Sequence, residues 1–193
     1  MSAGHEYNAK GKAACFMSRG FILSRRFYLQ ISLDGERMKT FVIKEYDVSV
    51  PTGAEVFDLS QIELRHCTGC WSCWLATPGR CVHRDLDEYY RAFLAADKVY
   101  YYCNVSEGFV TSNMKAMIDR MIPLVLPYIY WPKEESLHDP RYDKYPAVEV
   151  IYRGEFLPGE EEAFISYWKR TLEMMFVKDV DIKRCETAEG TTI

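Results

Sequence analysis

Lys98-Val-Tyr-Tyr-Tyr-Cys-Asn104 is a continuous run of apolar and aromatic residues near the middle of the chain. Such a run is typical of a central strand that is buried on both faces of a parallel sheet. The spacing of apolar residues predicts a helix on each side of it, over residues 85–96 with Asp85 as the N-cap and over residues 111–121. A strand enclosed by two helices indicates an α/β fold.

The same alternation of strands and helices continues on both sides of this unit. Further strands are predicted over residues 13–18, 40–44, 55–59, 147–152 and 180–185, and further helices over residues 24–33 and 158–177. This alternation predicts a parallel sheet with helices on both faces. Ligands of such sheets bind beyond the carboxyl ends of the strands, so residues 18–24, 104–110 and 153–158 are the candidate ligand loops.

Length and charge limit the possible functions. The chain has 193 residues and a formal net charge of −4. One domain is therefore predicted, and neither nucleic acid nor an anionic membrane is an expected partner. Residues 1–12 are polar and are predicted to be disordered, which leaves residues 13–193 as the folded domain. No apolar run reaches the roughly 20 residues of a membrane span, and the N-terminus has no apolar signal region, so a cytoplasmic protein is expected.

The segment Cys67-Thr-Gly-Cys70-Trp-Ser-Cys73, together with Cys81, places four of the seven cysteines within fifteen residues. Four thiolates from one compact segment suit an iron–sulfur cluster. Structural zinc sites usually come as two separated cysteine pairs, and standing disulfides are not expected in a reducing compartment. A loop whose thiols pack as small apolar groups is the fourth interpretation.

Three motifs carry a resemblance to a known family. They are Glu55-Val-Phe-Asp-Leu-Ser followed by the cysteine segment, Ala96-Asp97-Lys-Val, and Gly108-x-x-Thr-Ser-Asn-Met-Lys115-x-x-x-Asp119-Arg120. In this order and spacing they resemble the flavodoxin-like NADPH-dependent FMN reductase family, and within it the branch that includes the iron–sulfur flavoproteins. The resemblance covers about residues 55–125 and continues more weakly to the C-terminus.

The resemblance implies both a fold and a reaction. The implied fold is a flavodoxin-like, doubly wound five-stranded parallel sheet with helices on both faces, in a homodimer with FMN near the subunit boundary. The implied enzyme is an NAD(P)H-dependent FMN reductase-like oxidoreductase. Hydride would pass from NAD(P)H through the flavin to a quinone, a flavin or a similar small acceptor. Because the flavin carries the chemistry, no catalytic side chain is expected.

The resemblance also implies the residues of an FMN site. These are Ser18, Arg19 and Ser24 for the phosphate, Asn104, Val105, Ser106 and Gly108 for the ring, and Gly154 for close backbone approach. The family's Gly-Ser-Pro-Arg-type phosphate loop is not matched, because proline is missing and Phe-Ile-Leu follows Gly20. One alternative function is an iron–sulfur flavoprotein electron carrier, with a [4Fe–4S] cluster on Cys67, Cys70, Cys73 and Cys81 beside FMN. The other is a flavin-free domain that acts through protein contacts.

Two assignments of the first strand compete. Residues 13–18 are preferred, because a first strand that begins at Met38 leaves too few residues before Glu55 for a crossover helix. Further along the chain, Tyr128-Ile-Tyr130-Trp131 is interpreted either as an interface or pocket lid, or as a packed surface loop.

Other charged and polar residues have structural interpretations. Lys115 and Asp119 are four positions apart on a predicted helix and are expected to pair on its surface. Arg120 is also interpreted as structural. His66 and His83 flank the cysteine segment, and both are expected to be surface or capping residues and not ligands.

Overall fold

The computed structural model describes residues 38–131 and 136–185. The predicted disordered N-terminus, the strand over residues 13–18, the helix over residues 24–33 and the phosphate residues Ser18, Arg19 and Ser24 lie outside the described residues.

The described strands and helices follow the predicted alternation closely. The strands are β1 (Thr40–Lys44), β2 (Glu55–Asp58), β3 (Lys98–Ser106), β4 (Phe109–Val110), β5 (Val125–Tyr130), β6 (Leu137–Pro140), β7 (Ala147–Arg153) and β8 (Val180–Arg184). The helices are α1 (Ser72–Leu75), α2 (Asp87–Ala95), α3 (Ser112–Asp119) and α4 (Glu160–Met174), with short 3-10 turns at Leu59–Gln61 and Ile122–Leu124. Sequence analysis missed β4, β5 and β6, which are short or exposed.

Five strands form a parallel sheet in the order β2-β1-β3-β7-β8. Numbered by their position among the parallel strands, this is the order 2-1-3-4-5 of the flavodoxin-like fold. The short strand β4 pairs antiparallel with the end of β3, and β5 and β6 form a separate two-stranded sheet. The prediction of a five-stranded flavodoxin-like sheet in a single domain is confirmed.

The preferred first strand was wrong for this sheet. The strand that is number 1 in the 2-1-3-4-5 order is β1, which lies between β2 and β3 and pairs with both. The objection to this assignment was that too few residues remain for a helix before Glu55, and the structure has no helix there. Residues 45–54 connect the two parallel strands as an irregular segment, with a turn at Pro51 that is closed by a hydrogen bond from Ala54.

The two faces of the sheet are covered differently by the described residues. Phe41 and Ile43 of β1 face the main core, which includes residues of α2, α3 and α4. Val42 faces the opposite side, where Tyr100, Tyr102 and Ile151 pack with Tyr46 and Val48 of the β1–β2 connection. The three longer described helices, α2, α3 and α4, therefore pack on one face of the sheet. The β1–β2 connection packs on the other face and is too short to form a helix.

Helix α4 shows how local sequence produces this packing. Three glutamates occupy its first turn, where the helix dipole favours negative charge. Phe164, Trp168 and Leu172 recur at helical spacing and are fully buried. None of the described helices is both long enough and apolar enough to cross a membrane.

Candidate functional site

The four cysteines of the cysteine segment line one cavity of about 340 Å³. All four are free thiols; Cys67 and Cys70 are exposed, and Cys73 and Cys81 are half-buried. The rest of the wall includes Trp74 and His138, so the thiols lie at the boundary between solvent and an aromatic interior.

The backbone of the segment turns twice to bring these thiols together. Gly69 and Trp71 both have positive φ values, 65° and 61°. Glycine adopts such a value readily, whereas tryptophan rarely does. Trp71 then becomes the N-cap residue of the single-turn helix α1, which carries Cys73. Backbone strain of this kind is often found at functional sites, because the surrounding structure must hold it in place.

Trp74 anchors the segment to the rest of the protein. Its indole N–H donates to the carbonyl oxygen of Val125 at 3.0 Å, and its ring lies against Trp71 and His138 with centroid distances of 5.2 and 4.9 Å. Within the segment, the backbone N–H of Gly79 donates to the carbonyl of Cys73 at 3.0 Å and fixes the turn between Cys73 and Cys81. These contacts hold the segment in place through groups of the protein itself.

The thiols are close enough to influence one another. Burial raises the pKa of the Cys73 thiol, and the neighbouring thiols of Cys81, Cys67 and Cys70 raise it further. Hydrogen bonds from the side chain and backbone of Ser72 lower the pKa of the exposed Cys70 thiol. Four thiolates would therefore repel one another around Cys73, and bound cations would relieve that repulsion.

Arg120 links the cysteine cavity to the core. Its Nε donates to the sulfur of Cys81 at 3.3 Å, and its Nη1 donates to the carbonyl of Arg65 at 2.9 Å and to Asp85 at 3.0 Å. The guanidinium makes a second bond to the other carboxylate oxygen of Asp85, and its side chain is only 1% exposed. A buried cation bonded to a cysteine sulfur lowers the energy of negative charge at that sulfur.

The predicted role of Asp85 was wrong. Helix α2 begins at Asp87 and its N-cap residue is Leu86, with no capping bond from a side chain. The Asp85 carboxylate instead faces Arg120. Burial alone would raise the pKa of Asp85, but the hydrogen bond and charge of Arg120 outweigh it and lower the pKa. Sequence spacing missed this pair because its members are 35 positions apart.

Asn113 is a second anchor that sequence analysis missed. Its amide group donates to the carbonyls of Leu59 and Ile62 at 2.9 and 2.8 Å, and its carbonyl accepts from the N–H of Leu64 at 2.9 Å. One side chain on α3 thus satisfies three backbone groups of the segment that leads into Cys67. Asn113 belongs to the sequence motif that begins at Gly108, but the sequence does not indicate its distant hydrogen-bond partners.

Replacement of Asn113 by alanine is expected to lower the free energy of unfolding by about 2–3 kcal/mol, since three hydrogen bonds worth roughly 1 kcal/mol each are lost. The measurement is urea denaturation, with Ser112→Ala as the control, because Ser112 is exposed on the same turn. The control is expected to change stability by less than about 0.5 kcal/mol. Equal effects of the two substitutions would contradict the anchoring role.

The predicted flavin-ring residues lie at the end of β3 and in the hairpin that follows. The N–H of Asn104 donates to the Glu45 carboxylate at 2.8 Å, and its side-chain oxygen accepts from Nε of Arg153 at 2.7 Å. Val105 and Ser106 pair with β4, and Gly108 lies in the tight turn between the two strands. A Cβ atom at Gly108 would collide with the Glu160 carboxylate.

Gly154 allows a close approach, but to the protein itself. A Cβ atom at this position would lie 2.7 Å from Cβ of Val105, and the φ of Gly154 is 139°. The end of β7 is therefore packed directly against the end of β3.

The remaining predicted residues lie at the surface or near the cavity. Lys115 and Asp119 form the expected pair along α3. His66 is exposed, and His83 is half-buried in the cavity wall. The aromatic segment Tyr128–Trp131 is largely exposed, and Ile129 within it reaches the cavity.

Comparison with known proteins agrees with the sequence motifs. No family model matches the chain. An iron–sulfur flavoprotein of Archaeoglobus fulgidus is 32% identical over 148 residues, which cover 72% of this chain and 56% of that protein. The chain is similar in sequence to this iron–sulfur flavoprotein. It spans a little over half the length of this relative.

Solved structures agree on the fold of this chain. An azoreductase from Bacillus anthracis superimposes with a TM-score of 0.51 and 14% identity, over 77% of this chain and 86% of that one. The protein Smu.1420 from Streptococcus mutans gives a TM-score of 0.52 and 12% identity, over 80% and 90% of the two chains. These similarities show the flavodoxin-like α/β fold, and the resemblance inferred from the motifs is confirmed.

Proposed function

We propose that this chain is an oxidoreductase of the FMN reductase-like group whose cysteine segment holds a [4Fe–4S] cluster and passes single electrons. The observation that carries the proposal is that Cys67, Cys70, Cys73 and Cys81 line one cavity. The name of the Archaeoglobus fulgidus relative supports it.

The spacing of the four cysteines along the chain favours a cluster over a single zinc ion, because structural zinc sites usually come as two separated cysteine pairs. Within residues 38–131 and 136–185, no group of three or more His, Cys, Asp or Glu side chains is already arranged to hold a metal ion. The four thiols nevertheless line one common cavity. Four free thiols in one segment are the donor set that such a cluster uses.

The protein's own groups would set the properties of the cluster. A bound cluster supplies a centre that gains or loses one electron at a time. The Arg120 N–H bonded to Cys81 favours the more negative reduced state, because it stabilises charge on that sulfur. Trp74 shields the inner side from water, and the exposed Cys67 and Cys70 form the outer side, where an electron partner can approach.

The test is metal and sulfide analysis of the full chain purified without oxygen, together with its absorption spectrum before and after dithionite. About four iron and four sulfide per chain, with a broad visible absorption that bleaches on reduction, are expected for a cluster of this type. Iron at background level would refute the cluster. Zinc in place of iron would indicate that the cysteine segment has a structural role.

A second candidate is the full flavin reaction, hydride transfer from NAD(P)H through FMN to a quinone, a flavin or a similar acceptor. The word flavoprotein in the name of the Archaeoglobus fulgidus relative favours it. It requires FMN at the carboxyl edge of the sheet, on Asn104, Val105, Ser106, Gly108 and Gly154 together with Ser18, Arg19 and Ser24. An FMN titration tests it directly, and a homodimer remains a prediction for either candidate.

A further inference from the structure

The carboxyl ends of β1 and β3 form the switch point of this sheet. The two strands are neighbours, and the chain continues to β2 on one side and to β7 on the other. In sheets of this order, FMN is bound at the β1/β3 switch point. A phosphate group there is usually held by backbone N–H groups at the start of a helix that follows the first strand.

In the described residues no helix lies between β1 and β2, because the ten residues 45–54 run directly from one strand to the other. The segment instead places Tyr46 against the sheet, in a cluster with Tyr102. The N–H groups at the start of such a helix, which would hold a phosphate, are therefore missing from the β1–β2 connection.

Glu45 occupies the switch point itself. It follows β1 directly, and its carboxylate accepts hydrogen bonds from the N–H of Asn104, at 2.8 Å, and from the hydroxyl of Thr111. Thr111 also caps α3, accepting from the N–H of Met114 at 3.1 Å. The Glu45 carboxylate thus links the end of β3 to the start of α3, at the position where a ligand of such a sheet would bind.

The charge at this position also opposes a phosphate. Burial raises the pKa of Glu45, while the hydrogen bonds from Thr111 and Asn104 act to lower it. The Glu45 side chain accepts both hydrogen bonds even though its pKa is raised. It therefore occupies the N–H of Asn104 and the hydroxyl of Thr111, which are donors that a bound anion would need. A second anion beside it would be repelled.

Arg153, a cation that belongs to this network, is already engaged. Arg153 donates from Nε to the side-chain oxygen of Asn104 at 2.7 Å, and its guanidinium lies 3.7 Å from the ring centroid of Tyr46. Asn104 is therefore bonded to protein groups through both its backbone N–H and its side chain. Neither residue is free to bind a flavin without loss of these contacts.

We propose that Glu45 closes the β1/β3 switch point of this chain to phosphate-bearing cofactors, so that FMN is not held at the carboxyl edge of its own sheet. The inference rests on the fold and on the contacts of Glu45, and not on the cluster. The two proposals can therefore fail separately, and the iron content of the same sample distinguishes them.

The test is titration of the purified full chain with FMN, followed by flavin fluorescence, for the native protein and for Glu45→Gln. Glutamine keeps the acceptor oxygen and removes the charge. Glu55→Gln is the matched control, because Glu55 lies on β2 in an exposed pair with Arg91. The native protein and the control are expected to show no saturable binding. Glu45→Gln is expected to show saturable binding, at least about tenfold tighter than the detection limit that the native protein fails to reach, as like-charge repulsion is removed.

Amide NMR spectra identify the position of any FMN that binds. Stoichiometric FMN binding by the native protein, with shifts at Asn104 and Thr111 that inorganic phosphate also produces, would overturn the inference and favour the full flavin reaction. Equal affinities of Glu45→Gln and the native protein would overturn the role of Glu45. Binding that leaves both amides unshifted would place the flavin elsewhere and support a closed edge.

Discussion

Replacement of Cys73 by serine is expected to remove the bound iron and the visible absorption of the protein. Cys73 lies at the centre of the cysteine segment, where the other three thiols act on its pKa. A serine hydroxyl is a far poorer ligand for iron than a thiolate, so iron is expected to fall from about four per chain to less than one. The measurement is iron and sulfide analysis after purification without oxygen.

Cys103→Ala is the matched control for this substitution. Cys103 is a free thiol that is fully buried in β3, within the same core, but it does not belong to the cysteine segment. The control is expected to keep its iron, although it loses about 1 kcal/mol of stability through the missing buried sulfur. Full iron in Cys73→Ser would contradict the assigned ligands, and loss of iron from both variants would indicate general unfolding.

Replacement of Arg120 by alanine is expected to destabilise the protein by about 2–4 kcal/mol. The substitution removes a buried guanidinium with four hydrogen bonds and leaves the Asp85 carboxylate without its partner. Removal of one member of a buried ion pair costs about 3–5 kcal/mol, and the partial exposure of Asp85 reduces this cost. Guanidinium denaturation measures the change.

Arg91→Ala is the control for Arg120→Ala. Arg91 pairs with Glu55 on the surface, and both side chains are about half exposed. Exposed pairs contribute about 0–1 kcal/mol, so the control is expected to unfold close to the native midpoint. Similar midpoints for both variants would show that Arg120 contributes no more than a surface arginine.

The Arg120–Asp85 pair also predicts how stability depends on pH. Arg120 lowers the pKa of Asp85 in the folded state. A carboxyl group with a lowered folded pKa stabilises the protein above its unfolded pKa, near 4, and this contribution is lost as the pH falls through the folded value. Native stability should therefore decrease more steeply below pH 4 than the stability of Arg120→Ala. Parallel profiles would contradict a titrating pair.

The cysteine site shows what sequence spacing can and cannot determine. The spacing of Cys67, Cys70, Cys73 and Cys81 places four thiols on one short segment, and no other part of the chain is needed to predict that they share a site. The supporting residues are distant in sequence: Arg120 contacts Cys81 from 39 positions away. Pairs of this kind are formed only when the core brings α3 beneath the segment.

The sheet edge was harder to predict. The apolar runs of β1, β3 and β7 predict buried strands, because they are short and rich in β-branched and aromatic residues, which favour strands over helices. Their order does not follow from the runs, and the first strand was assigned to the wrong segment. The assignment depended on an expected crossover helix that residues 45–54 do not form.

Sequence alone therefore determined the α/β class, the flavodoxin-like relationship and the cysteine segment, because these depend on local periodicity and on closely spaced residues. Tertiary structure decided that Glu45, Asn104, Thr111 and Arg153 meet at one edge, and that Asp85 pairs with Arg120 instead of capping a helix. These contacts join residues that are 35 to 66 positions apart. Such contacts depend on how the strands and helices pack, and local patterns carry no information about that packing.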